Sequence, residues 1–185
     1  MRIFFILIVT FLVTSCGTNN QTKDSSDSTE LPSEDIDVLT TLMIGNKYFE
    51  QENYEQAAKG FELVIRLDST IGEAYYKLGY SLASTKKTLY EEAEQKNEEM
   101  TLDFINQKDT SALTIINNYI KAAEHNYRPV DAYYNAGIYT SIFIFDDSTA
   151  IELFRKSLEI NPAQPEVVTM IEDAKKRLKD ESDNQ

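Results

Sequence analysis

The residues with reactive side chains are few. The chain of 185 residues has one cysteine, Cys16, and one histidine, His125. A nucleophilic triad or a histidine-based metal site needs partners that the sequence does not supply. Acidic pairs such as Glu91 and Glu92 are adjacent in sequence, so on a helix they project in different directions and do not form an acid–base pair. We therefore expect no catalytic site, no metal, no cofactor and no enzymatic activity, with His125 as a solvated or capping side chain.

The segment around Cys16 suggests a different chemistry, which is acylation. Met1-Arg2 gives a positively charged start, and residues 3–13 form an apolar run interrupted only by Thr10. This run is too short to span a bilayer, which takes about 20 apolar residues, but it has the proportions of a secretory signal peptide. The following Val13-Thr14-Ser15-Cys16 resembles the lipobox of bacterial lipoproteins.

The resemblance to a bacterial lipoprotein implies a signal peptide at residues 1–15 and a mature chain that begins at Cys16. It also implies acyl groups such as palmitate on Cys16, and attachment to the membrane by that lipid. Because Gly17 stands where Asp favours retention in the inner membrane, we expect the outer membrane of a Gram-negative cell envelope. The alternative is an ordinary signal peptide, or an uncleaved anchor, followed by a chance cysteine.

Charge and composition limit the partners and the structure that the rest of the chain can have. The formal net charge of −13 excludes nucleic acid as a partner, because the phosphates would be repelled and no basic stripe compensates. Residues 17–33 carry a single apolar side chain, Leu31, which cannot repay the entropy of ordering the segment. We predict a flexible tether at residues 16–33, spanning about 23 Å between its ends.

A pattern of small and aromatic residues recurs along the remaining chain. Gly45 and Gly79 lie 34 positions apart, and the tetrapeptide Glu73-Ala-Tyr-Tyr is echoed by Asp131-Ala-Tyr-Tyr before Gly137. A period in this range is typical of stacked helical hairpins. Two helices approach closely where one presents a hydrogen or a methyl group, and an aromatic side chain fills the adjacent space. The sequence therefore predicts an all-α protein.

This pattern resembles the tetratricopeptide repeat family. The matching small residues are Gly45, Gly79, Gly137, Ala57, Ala122 and Ala150, with aromatic residues Tyr48, Phe61, Tyr119 and Phe154 between them. The resemblance implies a right-handed solenoid of about three repeats, at residues 38–71, 72–129 and 130–163. With a capping helix at 165–179, the domain would cover residues 34–179. We expect Ser33 to cap the first helix, and residues 180–185 to be a disordered tail.

The second repeat contains an insertion of 24 residues, because Gly79 and Gly137 are 58 positions apart. Successive helices of such an array run in opposite directions, so one independent extra helix would invert the third repeat. Two arrangements are therefore open. Either the helix that begins near Gly72 continues to about Gln107, or the inserted segment packs outside this alternation of helix directions. We favour the first. Tyr90, Met100 and Phe104 would then be exposed for contact with a partner, unless they pack on a longer second helix of the same repeat.

The family's concave groove, formed by the first helices of successive hairpins, implies a binding surface. The corresponding positions are Leu42, Asn46, Tyr76, Tyr80, Tyr134 and Ile138. This apolar, tyrosine-rich set suits a protein or peptide partner, although some of the tyrosines can instead pack between repeats. The carboxylate clamp of chaperone-binding members is not expected, since Asn46 alone matches its five residues and Leu42, Lys77, Asp131 and Asn135 occupy the others.

The resulting hypothesis is a lipid-anchored scaffold or adaptor of the cell envelope that binds protein partners. Two alternatives stay open. Tyrosines that stack on sugar rings would make the protein a surface carbohydrate-binding module. Analogy with the family also allows an accessory subunit of a secretion or outer-membrane assembly complex.

Overall fold

The computed structural model describes the backbone of residues 37–95 and 102–183, and the side chains of residues 37–87 and 112–183. Within these ranges the chain is all-helical. The elements are α1 (Val38–Glu50), α2 (Tyr54–Leu67), α3 (Gly72–Gln95), α4 (Leu102–Glu124), α5 (Pro129–Tyr139), a π-helix (Thr140–Ile144), α6 (Asp147–Ile160) and α7 (Pro165–Asp183). Each α-helix packs against the next in chain order, so the elements form three consecutive hairpins followed by α7.

Glycine and aromatic residues nest inside each hairpin, as the recurring pattern predicts. A β-carbon at Gly45 would lie 3.0 Å from the ring of Phe61, and one at Gly79 would lie 3.4 Å from the ring of Tyr119. The alanines of the pattern, Ala57, Ala122 and Ala150, are fully buried. The close helix approach that small residues permit therefore determines how the helices of each hairpin pair.

The second hairpin accommodates its extra residues differently from our expectation. We favoured a helix from Gly72 to about Gln107, but α3 ends at Gln95 and Gln107 belongs to α4. Both helices are long, with 24 residues in α3 and 23 in α4, against 13 in α1 and 14 in α2. Lengthening both partners keeps their antiparallel pairing, whereas lengthening one would leave its end without a partner. At 1.5 Å per residue, the second hairpin is about 15 Å longer than the first.

The ends of the domain also differ from the expectation. Asp37, not Ser33, is the N-cap of α1, and its carboxylate accepts a hydrogen bond from the Thr40 backbone N–H at 3.0 Å. At the other end α7 continues to Asp183, beyond the predicted boundary at residue 179. The predicted signal peptide, Cys16, the tether and Ser33 lie outside the described residues. None of the described helices is long and apolar enough to cross a membrane.

The π-helix is a local irregularity of the third hairpin. Ala150 follows Gly137 by 13 positions, whereas Ala57 follows Gly45 by 12, so this hairpin holds one additional residue. A π-helix absorbs an extra residue without ending the helix, and such bulges are frequent at functional sites. The π-helix ends at Ile144, and the left-handed backbone of the next residue, Phe145 (φ 58°), turns the chain into α6.

Candidate functional site

The first helices of the three hairpins are joined side by side by polar contacts. Between α1 and α3, Asn46 donates to Glu73 Oε1 at 3.2 Å and accepts from Lys77 Nζ at 2.8 Å, while Lys77 pairs with Glu73 at 2.6 Å. Between α3 and α5, Asn135 Nδ2 donates to the hydroxyl of Tyr76 at 3.4 Å. These contacts fix one common surface of α1, α3 and α5, which we call the first-helix face.

The six predicted groove residues differ in how much surface they offer on this face. Tyr80 is 40% exposed and Tyr76 only 7%. The other four, Leu42, Asn46, Tyr134 and Ile138, are half-buried. Tyr134 and Ile138 pack against the cluster between α5, α6 and α7, and Leu42 packs against the cluster of the first two hairpins. Tyr76 thus supports the face from beneath, while Tyr80 presents its ring to solvent.

Tyr80 belongs to an aromatic group that our sequence analysis did not identify. Its ring centroid lies 5.2 Å from that of Phe49 and 5.7 Å from that of Tyr54. Lys77 lies over the Phe49 ring, with its Nζ 5.4 Å from the centroid. Burial raises the pKa of Tyr54, so its hydroxyl is protonated at neutral pH. Such a group offers apolar area and neutral hydrogen-bonding groups, which suit binding more than acid–base chemistry.

Tyr76 lies in a tightly packed setting beneath the face. Its ring contacts those of Tyr119 and Tyr127, with centroids 5.5 and 5.8 Å away. The Arg128 guanidinium lies over the same ring at 5.0 Å and is paired with Asp131. Burial raises the pKa of Tyr76, so its hydroxyl is a neutral partner for Asn135. Replacing Tyr76 would therefore disturb the packing of α3, α4 and α5 as well as any bound partner.

A pocket continues the first-helix face towards the C-terminus. It has a volume of about 160 Å³ and lies between the end of α5, the π-helix and α7. Its apolar lining is Ile138, Ile142, Phe154 and Met170, and its polar lining is Ser141, Asp173 and Arg177. We call it the C-terminal pocket.

An ion pair fixes one wall of the C-terminal pocket. Arg177 donates from Nε to Asp147 Oδ2 at 2.7 Å and from Nη2 to Asp147 Oδ1 at 2.6 Å, and Nη2 also donates to Ser141 Oγ at 2.9 Å. The hydrogen bonds from Arg177, and a further one from the Ser141 hydroxyl at 3.0 Å, hold the pKa of Asp147 below its usual range. The side chain of Asp147 is 9% exposed and that of Arg177 is 51% exposed. The pair ties α7 to the start of α6, so the pocket wall is braced.

The remaining residues that the sequence analysis singled out are the three of the insertion and His125. Tyr90 lies in α3 and Phe104 in α4, but their side chains, like all of Met100, are outside the described part of the chain. His125 is exposed and stacks on Tyr75, with ring centroids 5.5 Å apart. Within the described residues, no group of three or more His, Cys, Asp or Glu side chains is placed to hold a metal ion.

Sequence reasoning missed the C-terminal pocket because α7 was assigned only a capping role. The offset of one residue between Gly137 and Ala150 was a signal in the sequence that could have indicated the π-helix. No comparable signal in the sequence predicts the hydrogen bonds that link Asn46, Glu73 and Lys77. They depend on how two helices from different repeats are rotated relative to each other.

Comparison with known proteins agrees with this architecture. Residues 130–164 match the family model of the tetratricopeptide repeat. A solved structure described as the first TPR of Spaghetti (RPAP3) bound to HSP90 peptide SRMEEVD superposes with a TM-score of 0.54 at 16% identity, covering 76% of this chain and 92% of that one. The fold is that of a tetratricopeptide-repeat array.

Two further structures are similar over comparable lengths. MamA has a TM-score of 0.49 at 20% identity, with 80% of this chain and 81% of that chain covered. PilF of Pseudomonas aeruginosa has a TM-score of 0.36 at 19% identity, with 77% and 69% covered. No curated protein matches the sequence. At 16% identity, the similarity to the first TPR of Spaghetti (RPAP3) shows the fold and not the partner of this chain.

Proposed function

We propose that this protein is a lipid-anchored scaffold of the bacterial cell envelope, and that its first-helix face binds a polypeptide segment of a partner protein. The observation that carries the proposal is the continuity of that face. Asn46, Glu73 and Lys77 join α1 to α3, the Tyr76–Asn135 contact joins α3 to α5, and Ile138 leads into the C-terminal pocket. A long face with half-exposed apolar and tyrosine side chains suits an extended or helical segment.

The chemistry of the face argues against a chaperone C-terminus as the partner. The similar structure in complex with the peptide SRMEEVD is described as binding an HSP90 peptide. Here Lys77 is held by Glu73 and Asn46, so its charge is compensated within the protein. Arg128 is likewise paired with Asp131 at 2.8 Å, so neither cation is left without a carboxylate partner. The partner segment is therefore bound mainly through aromatic and apolar contacts.

The anchor confines this binding surface to the membrane. Acylated Cys16 would hold the domain at the end of a tether of about 23 Å, a length that restricts the domain to a thin layer next to the bilayer. Confinement raises its effective concentration towards other membrane-bound proteins. An accessory role in a secretion or outer-membrane assembly complex fits this arrangement.

Site-specific crosslinking in the native envelope tests the binding face. A photoreactive benzoylphenylalanine at position 80 should crosslink to a protein partner identifiable by mass spectrometry. The control places the same group at Leu113, an exposed residue of α4. Because α4 is the second helix of its hairpin, Leu113 does not belong to the first-helix face. A partner captured equally at both positions, or glycans captured at position 80, would contradict the proposal; glycans would favour carbohydrate binding.

The anchor is tested separately. Metabolic labelling with a palmitate analogue should label the wild-type protein and not the Cys16→Ser variant, and only the wild type should sediment with outer membranes. A wild-type chain free of acyl groups would remove the anchor from the proposal and leave the binding face standing.

A further inference from the structure

The C-terminal pocket has the volume and lining of a site for one apolar side chain. Its volume is about 160 Å³, and a protein cavity of about 150 Å³ lined by Leu, Ile and Phe binds benzene. Ile138, Ile142 and Phe154 form apolar walls, and the unbranched side chain of Met170 can adapt its shape to an occupant. A phenyl or isobutyl group fits this space.

The mouth of the pocket carries apolar surface that no part of the described chain covers. Ile142 is 54% exposed although it lines the pocket. It belongs to the π-helix, so the extra residue of the third hairpin places it there. An incoming apolar side chain would remove the exposed part of Ile142 from water, which favours binding.

The charge at the rim is negative. The guanidinium of Arg177 is compensated by the bidentate contact with Asp147. Asp173, which also lines the pocket, is exposed on α7. The chain as a whole carries a net charge of −13, so its field favours a cationic partner.

We infer that the C-terminal pocket binds a partner segment in which a phenylalanine or leucine side chain enters the cavity and an adjacent lysine or arginine pairs with Asp173. The inference rests on the proposed function, because it assumes that the first-helix face binds a polypeptide. It adds the sequence preference of that polypeptide at one end of the face.

Binding of defined peptides to the full-length protein in detergent tests this preference. The probes are twelve-residue synthetic peptides with phenylalanine or alanine at the centre and lysine or glutamate beside it. Wild type should bind the phenylalanine–lysine peptide about tenfold more tightly than the alanine–lysine peptide, as burial of one large apolar side chain implies. It should also prefer the lysine flank to the glutamate flank.

Two variants test the apolar lining of the pocket and the charge at its rim separately. Ile142→Ser should remove most of the preference for phenylalanine over alanine, and it replaces an exposed residue, so the fold is retained. Asp173→Lys should invert the preference from lysine to glutamate beside the anchor. The matched control is Glu172→Lys, which makes the same change of charge at an exposed neighbour outside the pocket lining and should leave both preferences unchanged.

The outcomes distinguish this inference from the proposed function. If Tyr80→Ser abolishes peptide binding while Ile142→Ser and Asp173→Lys leave both preferences intact, the pocket inference is overturned and the binding face stands. If wild type binds no probe and captures no protein in the envelope, both are overturned. If sedimentation shows dimers that Phe145→Ser dissociates, the exposed Phe145 of a second copy is the occupant, and the inference fails.

Discussion

Gly137 in α5 packs so closely on the ring of Phe154 in α6 that a β-carbon at position 137 would lie 2.6 Å from Cε1 of that ring. The corresponding distance in the second hairpin, from Gly79 to Tyr119, is 3.4 Å, which is ordinary contact. Gly79 and Gly137 occupy the same position of the repeat pattern, but the space for a side chain is smaller at Gly137.

Gly137→Ala should destabilise the protein and Gly79→Ala should not. The first change forces Phe154 to move, at a cost of about 1–3 kcal/mol that the better helix propensity of alanine offsets only in part. The second change should be neutral or stabilising by up to about 1 kcal/mol. Urea unfolding followed by circular dichroism measures both. Equal losses of unfolding free energy in the two variants would show that close contact between the helices is not the reason for glycine at position 137.

The ion pair between Asp147 and Arg177 should make stability depend on pH. Because the folded pKa of Asp147 is lowered, the pair stabilises the protein fully above the ordinary carboxyl pKa of about 3.9, and its contribution is lost as pH falls through the lowered value. Arg177→Met should cost about 1–2 kcal/mol at pH 7, a modest figure because Arg177 is half exposed.

Unfolding free energies of wild type and Arg177→Met between pH 3 and 7 check this. The difference between the two proteins should be constant near neutrality and narrow below about pH 4, where Asp147 of the unfolded chain becomes protonated while that of folded wild type is still ionised. Lys59→Met, which breaks the exposed pair with Glu55, should produce no measurable change. A difference that does not depend on pH would assign the effect to lost packing of the Arg177 side chain.

Two buried serines should respond in opposite ways to replacement by alanine. Ser81 in α3 is fully buried, and its hydroxyl has no hydrogen-bond partner in the described part of the chain. Ser157 in α6 is equally buried, but it donates to the Val130 carbonyl at 2.9 Å and lies 3.2 Å from Gln164 Oε1. Removing an unsatisfied hydroxyl is neutral or favourable, whereas removing a partner leaves buried polar groups unpaired.

Thermal unfolding should therefore show Ser81→Ala equal to or up to about 1 kcal/mol more stable than wild type, and Ser157→Ala less stable by about 1–3 kcal/mol. The two substitutions remove the same atom from equally buried sites, so each is the control of the other. Comparable destabilisation by both would indicate that the Ser81 hydroxyl has a partner in solution, such as a bound water molecule.

The sequence predicts the nesting of helices well because one physical requirement recurs at each hairpin. Gly45 with Phe61 and Gly137 with Phe154 are local signals, readable from residue size and spacing alone. The division of the insertion between α3 and α4 has no such signal, since residues 80–128 contain neither glycine nor proline. It follows from the antiparallel pairing of two helices, which is a tertiary effect.

The binding surface is predictable only in part, for a related reason. Position in the repeat identifies Tyr80 and Ile138 as groove residues, but it does not distinguish them from Tyr76. The burial of Tyr76 depends on Tyr119 in α4 and on Tyr127 in the loop that follows α4. The C-terminal pocket depends on the π-helix and on the rotation of α7. Both are set by packing between elements, so residue type and spacing do not fix them.

The π-helix also places Phe143 against a lysine of the second hairpin. Lys86 in α3 is 6% exposed, and its Nζ lies 4.3 Å from the centroid of the Phe143 ring, which also stacks on Tyr139 at 5.3 Å. A desolvated cation over an aromatic ring gains about 2 kcal/mol, compared with about 0.5–1 kcal/mol at an exposed site. This contact is thus expected to help hold the longer second hairpin against the third.

A double-mutant cycle with Lys86→Met and Phe143→Leu isolates the contact from the other interactions of each side chain. We expect a coupling energy of about 1–2 kcal/mol from urea unfolding. The comparison is the cycle of Lys156→Met and Tyr133→Leu, where the exposed Lys156 lies 5.4 Å from the ring and the coupling should be about 0.5 kcal/mol or less. Coupling near zero for Lys86 and Phe143 would mean that the two side chains contribute independently to the free energy of unfolding. The extra residue of the third hairpin would then contribute to the C-terminal pocket and not to the contact with α3.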